Sequence, residues 1–207
     1  MDLGKRHKTG MIIEQPIGRY MLIKKVGRGG MGSVYKAYDL KLERTVALKL
    51  LSSSIGENEE EIKRFEREAI SNAKLRHSNI VTLYDFEQEN GLYFLTMDFV
   101  DGPSLCEFLS QNRLSFEKSC RFMLQILDGI QYAHGKGIIH RDIKPGNILV
   151  DQEEKLFITD FGLAKIPDQS SKISQDGSIL GTPAYMSPEQ ASMGANSVDF
   201  RCDIYAL

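Results

Sequence analysis

The stretch Ile139–Gly162 reads I-H-R-D-I-K-P-G-N-I-L-V-D-Q-E-E-K-L-F-I-T-D-F-G, and its reading decides the fold. Two carboxylates, Asp142 and Asp160, stand in it with Lys144 and Asn147 between them. Asn147 opens the apolar run Ile148–Val150 and Asp160 closes the run Leu156–Thr159, while the acidic segment Asp151–Glu154 fits a short hairpin turn. Such a hairpin returns Asn147 and Asp160 to the same end, as a divalent cation with oxygen ligands requires. With Asp142 and Lys144 beside that pair, the group suits phosphoryl transfer, provided that the chain builds a nucleotide site elsewhere.

Working outward, Tyr20–Arg28, Ser33–Asp39 and Arg44–Leu51 are expected as strands, because β-branched, aromatic and aliphatic residues dominate them. The first two are joined by Gly27-Arg-Gly29-Gly30-Met-Gly32-Ser-Val34. Glycines let backbone N–H groups approach an anion without a side chain intervening. Alone, this turn reads more readily as a plain flexible hairpin than as a phosphate site. A strand follows it, whereas a dinucleotide fold needs a helix there. Lys49 ends V-A-L-K in the third strand, where a lone lysine commonly faces solvent. Glu57–Arg76 is expected as a helix: its acidic start suits the helix dipole, and Ile62, Phe65, Ala69 and Ala73 form an apolar stripe. Glu68 lies beside the stripe and could reach Lys49 or remain a solvated charge.

Two further strands are expected over Ile80–Phe86 and Leu92–Phe99, around the polar turn Glu87–Gly91. Asp101-Gly-Pro103 marks the boundary between a strand-rich and a helix-rich half. Ser104-x-x-Glu107 is a capping box for a helix ending near Asn112. A longer helix over Ser115–His134 carries Met123, Ile126, Leu127, Ile130 and Ala133 on one face, read as core. The Ser-rich stretch Ile166–Ile179 reads as an exposed mobile loop. Beyond it, Ser187, Pro188 and Gln190 supply an N-cap, a first-turn proline and a capping-box partner.

The composition is that of a soluble globular chain: 207 residues, 42% hydrophobic and 26% charged. A net charge of −2 provides no general attraction to nucleic acid or anionic membrane. Three scattered cysteines without a C-x-x-C pair point to a reduced, cytoplasmic setting. The polar, basic N-terminus lacks the apolar core of a signal peptide, and no run approaches the length of a membrane span.

Taken together these segments resemble the eukaryotic-type serine/threonine protein kinases. G-R-G-G-M-G-S-V-Y-K, H-R-D-I-K-P-G-N and G-T-P-A-Y-M-S-P-E-Q look most like bacterial members. The resemblance implies an α+β, bilobal protein-kinase-like fold over 17–207, after a flexible extension over 1–16. The N-lobe, 17–100, would be an antiparallel sheet with one helix. The C-lobe, 101–207, would be mainly helical and incomplete, with apolar surface left uncovered.

The roles that follow are what the family implies. Gly27, Arg28, Gly29, Gly30 and Gly32 would close over the phosphates of ATP. Val34, Ala47 and Leu149 would enclose the adenine, Met97 would stand behind it, and Asp98 and Val100 would offer backbone groups to its edge. Lys49, held by Glu68, would pair with the phosphates. Asp142 would take the proton of the substrate hydroxyl, Lys144 would stabilise the transferring phosphoryl group, and Asn147 and Asp160 would hold Mg2+. His140 and Phe161 read as packing residues, and His77 and His134 as structural ones. Asp203 would hold the backbone of the catalytic loop.

The implied activity is that of a non-specific serine/threonine protein kinase. Its substrates would be protein serines and threonines, its own among the candidates. Phosphorylation at Ser170, Ser171, Ser174, Ser178 or Thr182 would act through Arg141. The alternative is a truncated, inactive fragment that binds nucleotide or a partner. Asn72, one helical turn after Glu68, departs from the family in being polar where many relatives carry an apolar residue.

Overall fold

The computed structural model describes residues 16–29, 32–52, 59–161, 183–192 and 198–207. Strand β1 (Pro16–Ile17) pairs with β2 (Tyr20–Gly29), so Pro16, the last residue of the expected extension, is part of the sheet. Strands β3 (Gly32–Asp39) and β4 (Arg44–Leu51) follow, with Val46–Lys49 of β4 all buried. Helix α1 (Glu59–Asn72) then leads to β5 (Leu83–Glu89) and β6 (Leu92–Asp98). Every described pairing in this six-stranded sheet is antiparallel, in the order β1-β2-β3-β4-β6-β5. Phe65 and Ala69 of α1 are buried against Leu51, Leu83, Leu95 and Met97 of the sheet.

Two elements, β5 and α1, differ in their bounds from the sequence expectation. The strand expected over Ile80–Phe86 runs instead over Leu83–Glu89. Ile80 and Val81 are drawn away from the sheet: Val81 N donates to Ile158 O at 2.9 Å, and Ile158 N donates to Asn79 O at 2.9 Å. At the other end the strand continues because Asn90 (φ 50) and Gly91 (φ 79) form a two-residue turn that puts Glu89 opposite Leu92. Asn-Gly supplies two left-handed residues at low cost, as such hairpins need. Helix α1 ends at Asn72, short of Arg76, and Leu75 turns inward to 1% exposure.

The second half opens with α2 (Leu105–Gln111), whose capping box is complete: Glu107 N donates to Ser104 Oγ, and Ser104 N donates to Glu107 Oε2 at 2.9 Å. Helix α3 (Phe116–Gly135) buries Phe122, Ile126, Gly129, Ile130 and Ala133. Met123 and Leu127, expected in the core, are exposed, so the buried face is turned toward Phe122 and Gly129. The reason is close approach to the hairpin of β7 (Ile148–Val150) and β8 (Leu156–Ile158): a Cβ at position 129 would come within 2.9 Å of Ile158 Cδ1. Helices α4 (Pro188–Ser192) and α5 (Arg201–Ala206) complete the described elements. Leu124, Ile204 and Tyr205 are exposed apolar residues of this half.

The halves join at Gly102. A Cβ there would lie 1.8 Å from Val150 O, so only glycine lets the boundary turn lie against β7. Val150 N donates to Pro103 O at 2.9 Å across the same contact. All three cysteines are free thiols. No helix among the described residues is long and apolar enough to cross a membrane.

Candidate active site

The hairpin β7–β8 does what its sequence promised. Ile148 pairs with Ile158 and Thr159 N donates to Asn147 O at 3.0 Å, so Asn147 and the residue before Asp160 are held together. Asp160 has φ 64, a left-handed backbone that a non-glycine residue enters only when its surroundings impose it. Its carboxylate Oδ1 accepts from Lys49 Nζ at 2.6 Å, joining β4 to the hairpin. Burial raises the carboxyl's pKa. The charge and hydrogen bond of Lys49 outweigh that, helped by His140 and Lys144, and hold it below its ordinary value.

Asp142 is built by its own loop. Asn147 Nδ2 donates to Asp142 O and to Asp142 Oδ2, both at 2.8 Å, and Lys144 Nζ lies 2.7 Å from the same Oδ2. Both of these side-chain contacts reach Oδ2 and leave Oδ1 without one. Behind the loop, Asp203 is 1% exposed and, besides the neighbouring Cys202 thiol at 3.7 Å, accepts from three nitrogen donors. These are His140 N at 2.8 Å, Arg141 N at 2.7 Å and, from the ring, His134 Nε2 at 2.8 Å. Arg141 has φ 67, so Asp203 braces a loop that passes through a disfavoured backbone region.

His140 is fully buried, and the expectation that it packs is met with a polar addition. Its Nδ1 accepts from Asp142 N at 3.2 Å, which leaves Nε2–H to donate to Thr159 O at 2.8 Å. Burial lowers its pKa despite Asp203 nearby, which keeps the ring neutral, as this pair of bonds demands. Its ring lies 4.7 Å from that of Phe161. His77 is likewise structural: its Nδ1 accepts from Asn79 N at 3.1 Å and its ring stacks on Tyr132.

The residues expected around adenine gather in one place. Ala47 and Met97 are register partners, and Val34, Val100 and Leu149 pack on the same apolar cluster. Asp98 N donates to Thr82 O at 3.0 Å and its side chain is held by Thr82 N and by the Tyr84 hydroxyl. In the glycine turn, Gly27 faces Val34, Arg28 faces Ser33 and Gly29 faces Gly32. Gly32 (φ 143) could carry no Cβ, because one would lie 1.9 Å from Leu50 O. Gly30 lies outside the described residues, as do Ser170, Ser171, Ser174, Ser178 and Thr182.

Glu68 is half-buried on α1. The ion pair that Lys49 makes among the described residues is the one with Asp160. Sequence reasoning named no role for Asn72 and no contact from Gln190 to the loop. The structure has Asn72 donating to Phe161 O, and Gln190 Nε2 donating to Arg141 O at 2.8 Å. The polar residue at an expected packing position was the available signal for the first. The second had none.

A divalent cation fits this chemistry with limited protein ligation. Asn147, with its amide nitrogen committed to Asp142, directs its amide oxygen elsewhere, and Asp160 supplies a carboxylate. No cluster of three or more acidic, His or Cys side chains able to hold a metal occurs among the described residues. Two oxygen ligands suit Mg2+, which is commonly bound by one or two protein groups together with substrate phosphates.

Comparison with known families decides the matter: a family model of the protein kinase domain matches residues 20–207. The chain belongs to the protein kinase family. Among curated proteins, this kinase chain is 42% identical over 191 residues to the serine/threonine-protein kinase PrkC of Bacillus subtilis, covering 92% of the chain and 29% of that protein. It is 38% identical over 198 residues to the serine/threonine-protein kinase pkn3 of Myxococcus xanthus, covering 91% of the chain and 36% of that protein. The kinase chain thus spans roughly a third of the length of these relatives. Among solved structures it matches the PknI kinase domain of Mycobacterium tuberculosis with a TM-score of 0.74 and 25% identity, covering 95% of the chain and 74% of that domain. The α+β fold read from the sequence is that of the family.

Proposed function

We propose that the chain is the ATP- and Mg2+-dependent catalytic region of a non-specific serine/threonine protein kinase. The observation that supports this most is the convergence at one end of β7–β8. Asp142 keeps one carboxylate oxygen for a hydroxyl, with Lys144 and Asn147 on the other, and Asp160, bonded to Lys49, stands at the same end of the hairpin as Asn147. In the reaction the substrate hydroxyl oxygen forms a bond to the γ-phosphorus, the bond from that phosphorus to the bridging oxygen breaks, and ADP leaves. Asp142 Oδ1 orients the hydroxyl and receives its proton. Lys144 moves its charge from Asp142 toward the transferring group. Lys49, positioned by Glu68, meets the α- and β-phosphates, and the glycine turn supplies backbone N–H groups. Asn147 and Asp160 would hold Mg2+, which offsets phosphate charge. Positioned charge of this kind supplies most of the catalysis, and no covalent intermediate is formed.

Regulation by phosphorylation is part of this reading. Arg141 Nε is buried and lacks a hydrogen-bond partner among the described residues, so it is a donor that a phosphate on Ser170, Ser171, Ser174, Ser178 or Thr182 would satisfy. The protein itself is then one substrate, and other protein serines and threonines are the rest. Free thiols and a near-neutral charge fit a cytoplasmic enzyme without a nucleic-acid partner. The test is transfer of labelled γ-phosphate from ATP to the chain and to a generic basic protein. Asp142→Asn is expected to lower the rate on the order of 10²- to 10⁴-fold. Equal incorporation by the two proteins sinks the assignment.

A further inference from the structure

Asn72 ends α1, one turn beyond Glu68, and is 9% exposed. It lines a narrow cavity whose wall on one side is apolar, Leu75, Ile80, Val81, Leu83 and Met97, and on the other is Thr159–Phe161. An amide buried against such a wall is unfavourable unless it is hydrogen-bonded, and a leucine of similar size would fill the space without that cost. The Asn72 amide is bonded: Nδ2 donates to the backbone carbonyl of Phe161, 89 residues away. That carbonyl belongs to the residue directly after Asp160. Three elements therefore converge on two residues. Strand β4 holds the Asp160 carboxylate through Lys49, the catalytic loop holds the Phe161 ring through His140, and α1 holds the Phe161 backbone through Asn72. Of these, the Asn72 bond is the one that anchors the backbone just beyond the left-handed Asp160, at the carbonyl of the next residue, and so limits how the Asp160 backbone can turn.

We propose that Asn72 is a positioning residue: its bond to the Phe161 carbonyl sets the orientation at which Asp160 meets Mg2+, and so couples the position of α1 to metal-dependent nucleotide binding. The bond replaces a packing contact, which tolerates sliding, with a directional contact, which does not. If α1 moves away, the Phe161 carbonyl loses its donor, and the left-handed Asp160 loses the anchor on the residue that follows it. The inference rests on the kinase reading.

The experiment is calorimetric titration of the full chain with ADP, once with MgCl2 and once with EDTA, for the wild type and for Asn72→Leu. The ratio of the two affinities isolates the metal-dependent part. The leucine variant is expected to bind ADP in EDTA within twofold of the wild type and to lose about tenfold of the enhancement by Mg2+. That loss equals about 1.4 kcal/mol, the scale of a single hydrogen bond. Asn72→Gln, which keeps the donor, is expected to recover most of it, and Asn72→Ala provides the same readout should the leucine variant not fold. Amide exchange in ligand-free protein is expected to quicken at Thr159–Phe161 in the leucine and alanine variants. An Mg2+ enhancement within twofold of the wild type in either of them overturns the role of Asn72 alone. A wild type whose ADP binding ignores Mg2+ overturns the kinase reading and the role of Asn72 with it.

Discussion

Replacing Asp203 by alanine tests how the catalytic loop is held. The carboxylate is 1% exposed and accepts from the backbone N–H groups of His140 and Arg141 at 2.8 and 2.7 Å. Alanine removes both acceptors, and each N–H left buried without a partner costs about 1–3 kcal/mol. Arg141 sits at φ 67, so the released loop also gains by leaving a conformation that costs a non-glycine residue about 1–2 kcal/mol, which lowers the barrier to local opening. The sum for Asp203→Ala is about 4 kcal/mol. At about 2–4 °C per kcal/mol for a chain of this size, the midpoint should fall by about 8–16 °C. Asp203→Asn keeps one acceptor oxygen and turns an amide N–H toward the other donor, so about half that loss is expected. Thermal and urea unfolding measure the stability, and amide exchange at Arg141 reports the loop itself. An alanine variant within about 1 kcal/mol of the wild type, or an asparagine variant indistinguishable from it, would refute the argument that Asp203 braces this loop.

Two further outcomes follow from the geometry. Gly102→Ala puts a Cβ 1.8 Å from Val150 O. Backbone must move, and a loss of about 2 kcal/mol or more is expected in urea unfolding, whereas Gly137→Ala, with open space around it but a positive φ, should lose less. His140 is buried neutral and its pKa is lowered, so the unfolded chain takes up a proton first as pH falls below the ordinary histidine value of about 6.5. Its contribution is complete above that value and declines on acidification. The stability difference between wild type and His140→Gln should therefore shrink between pH 7.5 and pH 5.5, on the scale set by unfolding at each pH; a constant difference contradicts a neutral buried ring.

Much of the site was legible in the residues because its signals are local. The Ser104–Glu107 capping box and the hairpin from Asn147 to Asp160 each rest on contacts within a few residues, where chain order already implies proximity. The exact strand at Leu83–Glu89 was not legible, because Ile80 and Val81 read as strand by composition and are claimed by β8 instead. The buried face of α3 was misjudged at Met123 and Leu127 for a related reason. A helix offers several adjacent stripes, and the choice among them depends on which neighbour approaches, here Ile158 against Gly129. The brace from Asp203 was legible only through the family resemblance, since nothing near it in the chain announces a partner 62 or 63 residues away.

By itself the sequence determined the hairpin that brings Asn147 to Asp160, the glycine turn ahead of β3, and the identity of the charges that gather near them. Short-range geometry and side-chain chemistry suffice for these. Tertiary structure alone decided which charge meets which: Lys49 with Asp160 across 111 residues, and Asn72 with the Phe161 carbonyl across 89. Such pairings depend on how α1, β4 and the β7–β8 hairpin pack. Packing is a property of whole buried surfaces, and the sequence of any one segment does not contain it.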